Sequence, residues 1–237
     1  MKLRSLISAG LLLVSIVARA DAPPQFTITT VAGVHKAGFS GDGGPATAAE
    51  ISGPSCVAVD TLGNLYIADF KNGRVRRVRP DGVIETVMGT GAVELQHEAL
   101  PAKETNLPQP YGLTLDTSNN LYVFSRGHSK LFRVSADGIA HIIAGNGTKG
   151  FAGDGGPAVD AELSGANHML VNSRGEVIIA DSGNQRLRKI DTKGVITTIA
   201  GIGEKGFSGD GGPSLAAAFN GPSALALDAP ENLYIAD

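Results

Sequence analysis

Cysteine is nearly absent. Cys56 stands alone among 237 residues, so no internal disulfide staples this chain. Its stability must come from packing and hydrogen bonding, and Cys56 itself reads as a small buried apolar residue. Tryptophan is missing and aromatic residues make up 5%. Basic residues do not exceed acidic ones: 20 Lys and Arg face 23 Asp and Glu, a formal charge of −3. That balance, with a pI near 5.9, argues against a general nucleic-acid-binding surface. Long apolar runs are missing too, apart from Leu6 to Val17. With Lys2 and Arg4 before it and Ala18-Arg19-Ala20 after it, that run has the order of an export signal cut after Ala20. No Cys follows the cut, so a lipid anchor is not expected, and no other segment is long enough to span a bilayer. Loss of residues 1–20 leaves 17 basic against 23 acidic groups, a net charge of −6. The product is expected outside the cytoplasm, secreted or periplasmic in a bacterial setting.

Glycine is abundant instead. Its 32 residues are roughly twice the ordinary share of about 7%. With 42% hydrophobic residues the chain can build a core, and frequent Gly and Pro favour short strands joined by tight turns. Self-comparison gives the order of those turns. Leu65-Tyr66-Ile67-Ala68-Asp69 returns as Leu121-Tyr122-Val123-Phe124-Ser125, then as Val177-Ile178-Ile179-Ala180-Asp181, then as Leu233-Tyr234-Ile235-Ala236-Asp237, each time 56 residues later. Pro45, Pro101, Pro157 and Pro213 keep the same interval.

Each period holds four β-patterns. In the first full unit we place strand A near 55–60, B near 64–69, C near 74–79 and D near 83–88, with a D-like strand at Ile28 to Val31 ahead of them. Strands A and B are apolar on both faces and must be covered on both sides. C and D are more polar. A sheet graded in this way fits one blade of a propeller, in which neighbouring blades sandwich the inner strands and the outer ones reach water. Gly63 and Gly82 supply the A–B and C–D turns. Strand C breaks strict alternation, because Val75 and Val78 lie three apart. A β-bulge, or Val75 in the turn, would reconcile this.

Asp-x-x-Asn-x-Arg follows strand B at Asp69, Asn72 and Arg74 and again at Asp181, Asn184 and Arg186. Together with Leu-Tyr-Ile-Ala-Asp before it and Asp-Gly after strand C, it resembles the NHL repeat over residues 26 to 237. The extra length of each unit, Gly38 to Ala46, is similar to the long units of teneurin-like propellers and of exported bacterial proteins. The resemblance implies an all-β, six-bladed propeller of the TolB-like type. Residues 83–138 depart from it: Ser125 and His128 replace the Asp and Asn, and Glu94 to Leu100 replace the Gly-rich loop. About three complete blades fit into residues 21–237. Six periods of 56 exceed the 237 residues, so we expect an incomplete arc, a fragment of a longer propeller, or else an arc closed by self-association.

Up-and-down strands put D–A and B–C loops on one face, and loops on a rigid scaffold are where binding usually resides. The D–A loops are 33–54, 145–166 and 201–222. Pro45 suits the start of a short helical turn over Ala46 to Ile51. Ile51, Leu107, Leu163 and Phe219, with Phe39, Phe151 and Phe207, are expected to plug the loops onto the blades. Asp42, Asp154 and Asp210 in Gly-Asp-Gly-Gly read either as carboxylates for a ligand or calcium ion, or as side chains bonded to amides of their own turn. Asp69 and Asp181 are expected to pair with Arg74 and Arg186 across the turn, with Asn72 and Asn184 taking the left-handed conformation. The arginines from Arg74 to Arg79 read as a solvated face. His168 stands where other units have Cys56, Gly112 and Ala224, at the start of strand A near the channel mouth. It is a weak candidate for a general base or zinc ligand, and Tyr111 and Asn167 in the preceding register are candidates for polar ligand contacts. No second His shares its register, because His35, His97, His128 and His141 fall elsewhere. The reading is an exported binding module for a protein, peptide or glycan, with no cofactor. The alternative is a propeller lyase or lactonase with a channel metal.

Overall fold

A computed structural model describes residues 27–94 and 99–237. The export signal of residues 1–20 and His97 lie outside them. The first blade is an antiparallel sheet in the order β1 (Pro54–Val59), β2 (Leu65–Asp69), β3 (Arg74–Val78), β4 (Ile84–Met88). These bounds lie within one residue of those read from the sequence. A two-residue strand β5 (Leu100–Pro101) joins the outer edge of the second blade, β6 (Pro110–Leu115), β7 (Leu121–Ser125), β8 (Lys130–Val134) and β9 (Ile139–Ala144). The third blade is β10 (His168–Val171), β11 (Val177–Asp181), β12 (Arg186–Ile190) and β13 (Ile196–Ala200). A pair, β14 (Ala224–Leu227) and β15 (Leu233–Ala236), follows. Strand β1 packs beside β6, β6 beside β10 and β10 beside β14, so the A strands are innermost and the blades form an open propeller arc. Ile28 to Val31 form no strand among the described residues, against the sequence reading; no described strand lies alongside to supply a ladder, and Ile28 is fully exposed.

The core lies between blades. Tyr66, Ala68, Val75 and Met88 of the first blade meet Leu113, Leu121, Val123 and Phe132 of the second. Phe124 and Leu131 of the second meet Met169, Ile179 and Ile190 of the third. The spacing of Val75 and Val78 is thereby explained. Val75 faces the second blade and Val78 the opposite flank, with Ile67 and Ile84. Alternation is intact, and each C–D ladder also carries a register shift, at Val75/Arg76, Leu131/Phe132 and Leu187/Arg188.

The loops ahead of the first three blades each cross the following sheet and pair with its outermost strand before turning inward. Pro45 bridges Val83, and Pro157 bridges Val195. Gly43 N–H donates to the Ile84 carbonyl, and Ile84 N–H to that of Gly44. Proline fits here because its missing donor faces away from the ladder. The outer edge, a template for unwanted strand addition, is thus covered. The helical turn after Pro45 is a single 3-10 turn, Ala46–Ala48, shorter than expected. On the opposite face, adjacent A–B turns are tied together: Ser173 N–H and Arg174 donate to Glu231 at 2.9 and 3.0 Å. Those donors hold the Glu231 carboxyl down at about 2.

Candidate functional site

The loop face is organised by two buried arginines. Arg76 sits on β3 opposite Ile67, with its side chain inaccessible to solvent. Its guanidinium donates to Asp42 Oδ1 at 2.7 and 3.1 Å, to the Ser40 carbonyl at 3.0 Å and to the Glu50 carbonyl at 3.4 Å, all in the overlying D–A loop. It also lies 3.6 Å from the equally buried Asp69. Asp69 accepts from Ser52 N–H and from Asn72 Nδ2, both at 2.8 Å, and Asn72 Nδ2 also reaches the Gly38 carbonyl at 2.6 Å. The third blade repeats the set. Arg188 reaches Asp154 at 2.8 Å and Asp181 at 3.4 Å; Asp181 accepts from Ser164 N–H at 2.8 Å and Asn184 at 2.7 Å. Burial pushes the Asp69 and Asp181 carboxyls up, and the Asn and backbone donors and the arginines pull against it. A buried cation must be matched by charge and hydrogen bonds, and here the loop supplies both.

This geometry corrects several sequence expectations. Arg76 is not part of a solvated face; the loop that buries it is far away in sequence. Asp69 and Asp181 bond to Arg76 and Arg188, whereas Arg74 and Arg186 turn to backbone carbonyls at Asn72 and Asn184, 2.6 and 3.1 Å away. The left-handed residues are Gly73 and Gln185, one position after Asn72 and Asn184. Asp42 and Asp154 serve the arginines, not the amides of their own turns. Phe39 and Phe151 do not plug the core. They are about two-fifths exposed and lie under Arg74 and Arg186, 3.9 and 3.8 Å from guanidinium to ring centre. Phe207 is largely exposed, whereas Leu107 and Leu163 are fully buried as expected.

The second blade lacks the buried arginine and its partner on strand B, and these replacements agree with one another. Arg76 becomes Phe132, Asp69 becomes Ser125, and Ser52 becomes Pro108. Pro108 has no N–H to give, and the Ser125 hydroxyl donates to its carbonyl at 2.6 Å. The sequence carried this signal, but in the joint loss of residues far apart within the unit.

His168 is half-buried, and its Nδ1 accepts from Leu225 N–H of the next A strand at 3.3 Å. Burial pushes its pKa down, which favours the neutral acceptor form. Cys56 Sγ makes the corresponding crossing, to the Leu113 carbonyl at 3.5 Å. This register therefore stitches blades together. Gly112 shows how closely they approach: a Cβ there would lie 2.8 Å from the Asn167 carbonyl. Among the described residues no three His, Cys, Asp or Glu side chains are arranged to hold a metal ion.

The D–A and B–C loops do share a face. At its centre lies a cleft of about 470 Å3 lined by Gln109, Arg126, Asn167, Gln185, Lys205 and Asn220, among others. A second cleft, of about 530 Å3, adjoins it through Gln109 and Lys149 and includes Phe70, Lys71 and Pro108. Tyr111 stands between the blades, edge-on to Phe70 at 5.9 Å and beneath Arg126 at 4.4 Å. Asp210 lies outside both clefts.

Comparison with known proteins agrees with this architecture. Residues 34–151 match the profile of the teneurin NHL domain. Human teneurin-4 is 30% identical over 223 residues, covering 83% of this chain. The chain spans only about 8% of that relative's length. A structural genomics protein of unknown function from Bacteroides thetaiotaomicron superposes with a TM-score of 0.62 at 25% identity, covering 78% of this chain and 44% of that one. An auxiliary nutrient binding protein from Bacteroides ovatus does so with a TM-score of 0.58 at 17% identity, covering 79% and 46%, a likeness of fold. The repeating units, their Asp-Asn-Arg turns and these matches together identify the chain as a member of the NHL-repeat β-propeller family.

Proposed function

We propose that this chain is an exported binding module that receives a protein, peptide or glycan on its D–A and B–C loop face. The carrying observation is the pair of adjoining clefts on that face, both bordered by the 145–166 loop, which buried Arg188 holds in place. Clefts of this size on rigid supports suit ligand binding. The teneurin NHL match and the nutrient-binding neighbour support a binding role. Tyr111 and Asn167 belong to this surface, within a ring that the resemblance makes six-bladed. Export rests on the signal read in residues 1–20.

Hydrogen–deuterium exchange with pools of glycans and peptides tests the reading. Bound ligand is expected to protect 108–111, 126–127, 164–167 and 182–185. Protection confined to the A–B turns at 60–64 and 116–120 would refute it.

A further inference from the structure

We infer that the adjoining clefts bind an acidic oligosaccharide, a sugar chain carrying carboxylate or sulfate groups; this rests on the loop face being the binding surface. Charge is the first argument. Acidic residues outnumber basic ones in the chain, 23 to 20. Yet Arg126, Lys149 and Lys205 line the first cleft and Lys71 and Lys149 the second, and no Asp or Glu among the described residues lines either. None of these four cations enters an ion pair among the described residues. Other cations of the chain are paired with carboxylates, as at Arg76, Arg77, Arg174 and Arg188, so the absence of any acid among the described residues of both cleft walls sets this surface apart. Unmatched cations gathered in a concave site focus a positive potential and favour an anionic occupant.

Hydrogen bonding is the second argument. Between the cations stand the amides of Gln109, Asn167 and Asn220. The buried side-chain oxygen of Asn167 meets no donor among the described residues. An unfilled buried acceptor is costly and calls for a donor. A simple carboxylate or sulfate offers none. Sugar hydroxyls offer donors and acceptors on the same molecule that carries the negative charge. The second cleft adds Phe70, Val93 and Pro108, apolar surface for the C–H face of a sugar ring. The two clefts adjoin through Gln109 and Lys149, so one sugar chain can engage both.

The test is calorimetric titration of the purified protein with four probes of matched length: an oligogalacturonate, a heparin-derived oligosaccharide, a neutral maltooligosaccharide and a poly-glutamate peptide. Either or both acidic sugars are expected to bind; binding of the heparin fragment alone would show that the site requires sulfate beyond carboxylate. Binding is expected to weaken as salt rises from about 0.1 M to about 0.5 M. In Lys149→Gln/Lys205→Gln it is expected to weaken at least about tenfold, the scale of one charge-assisted hydrogen bond. Both lysines are exposed, so an unchanged circular dichroism melt keeps the variant informative. Equal binding of the neutral sugar, equal binding of the peptide, or no loss in the double variant overturns the inference. If the neutral sugar or the peptide binds and protects the loop face, the binding-module reading survives while this one falls. If no probe binds and no pool protects a loop-face amide, both fall.

Discussion

Replacing Asp69 with Ser should be among the most damaging single changes in the first blade. Asp69 and Arg76 are both fully buried, and the substitution leaves Arg76 with only the partly exposed Asp42 as counter-charge. It also removes the acceptor of Ser52 N–H, held at 2.8 Å. Breaking a buried pair by deleting one member costs about 3–5 kcal/mol, which is a large part of the ~5–15 kcal/mol that holds a domain together. The second blade shows an alternative that needs no charge. Ser52→Pro, Asp69→Ser and Arg76→Phe together install the set found at Pro108, Ser125 and Phe132. Buried ion pairs exchange for apolar groups at little net cost, so the triple variant should recover at least about half of the single-variant loss. Lost donors to the Ser40 and Glu50 carbonyls keep the recovery incomplete. Urea unfolding followed by circular dichroism gives the energies, and exchange of β2 and β3 amides localises them. A loss below about 1 kcal/mol for Asp69→Ser, the range of a surface pair, would refute the reasoning. So would a triple variant less stable than the single one.

Two further outcomes follow from contacts between blades. Gly112→Ala places a methyl against the Asn167 carbonyl and Met169 and should cost about 1–3 kcal/mol by overpacking, measured as a lowered urea midpoint; an unchanged midpoint would mean that the blades part freely there. Because the folded-state pKa of His168 is lowered, its contribution is present above its ordinary value near 6.5 and is lost as pH falls toward the folded value. Exchange of the Leu225 amide should therefore quicken, once corrected for its intrinsic pH dependence, between about pH 7 and about pH 5, and His168→Gln should abolish that step.

Strands and turns were legible in the sequence because they rest on short-range facts. A 56-residue period and residues such as Gly63 and Gly82 need no knowledge of what packs where. Both glycines adopt positive φ, 83° and 82°. Arg76 was illegible for the opposite reason. Taken alone, the stretch Arg74 to Arg79 looks wet, and its burial depends on Ser40, Asp42 and Glu50, some thirty residues earlier. Phe39 misleads for the same reason, since an aromatic beside glycines reads as core until the cation above it is known. Arg126, Lys149 and Lys205 come from different blades, and only the curvature of the arc brings them to one cleft.

The crossing of each loop onto the following sheet, seen at Pro45 with Val83 and at Pro157 with Val195, means that the hereditary module and the structural one are out of phase. A cut between consecutive sheets strips a border from its neighbour and leaves a dangling strap. Removal or duplication of one whole period, wherever the cut falls, returns every strap to an equivalent mate. Lineages carrying this architecture can thus lengthen or shorten by entire periods at little structural penalty, and an engineer who shuffles them should join at matching positions within the period.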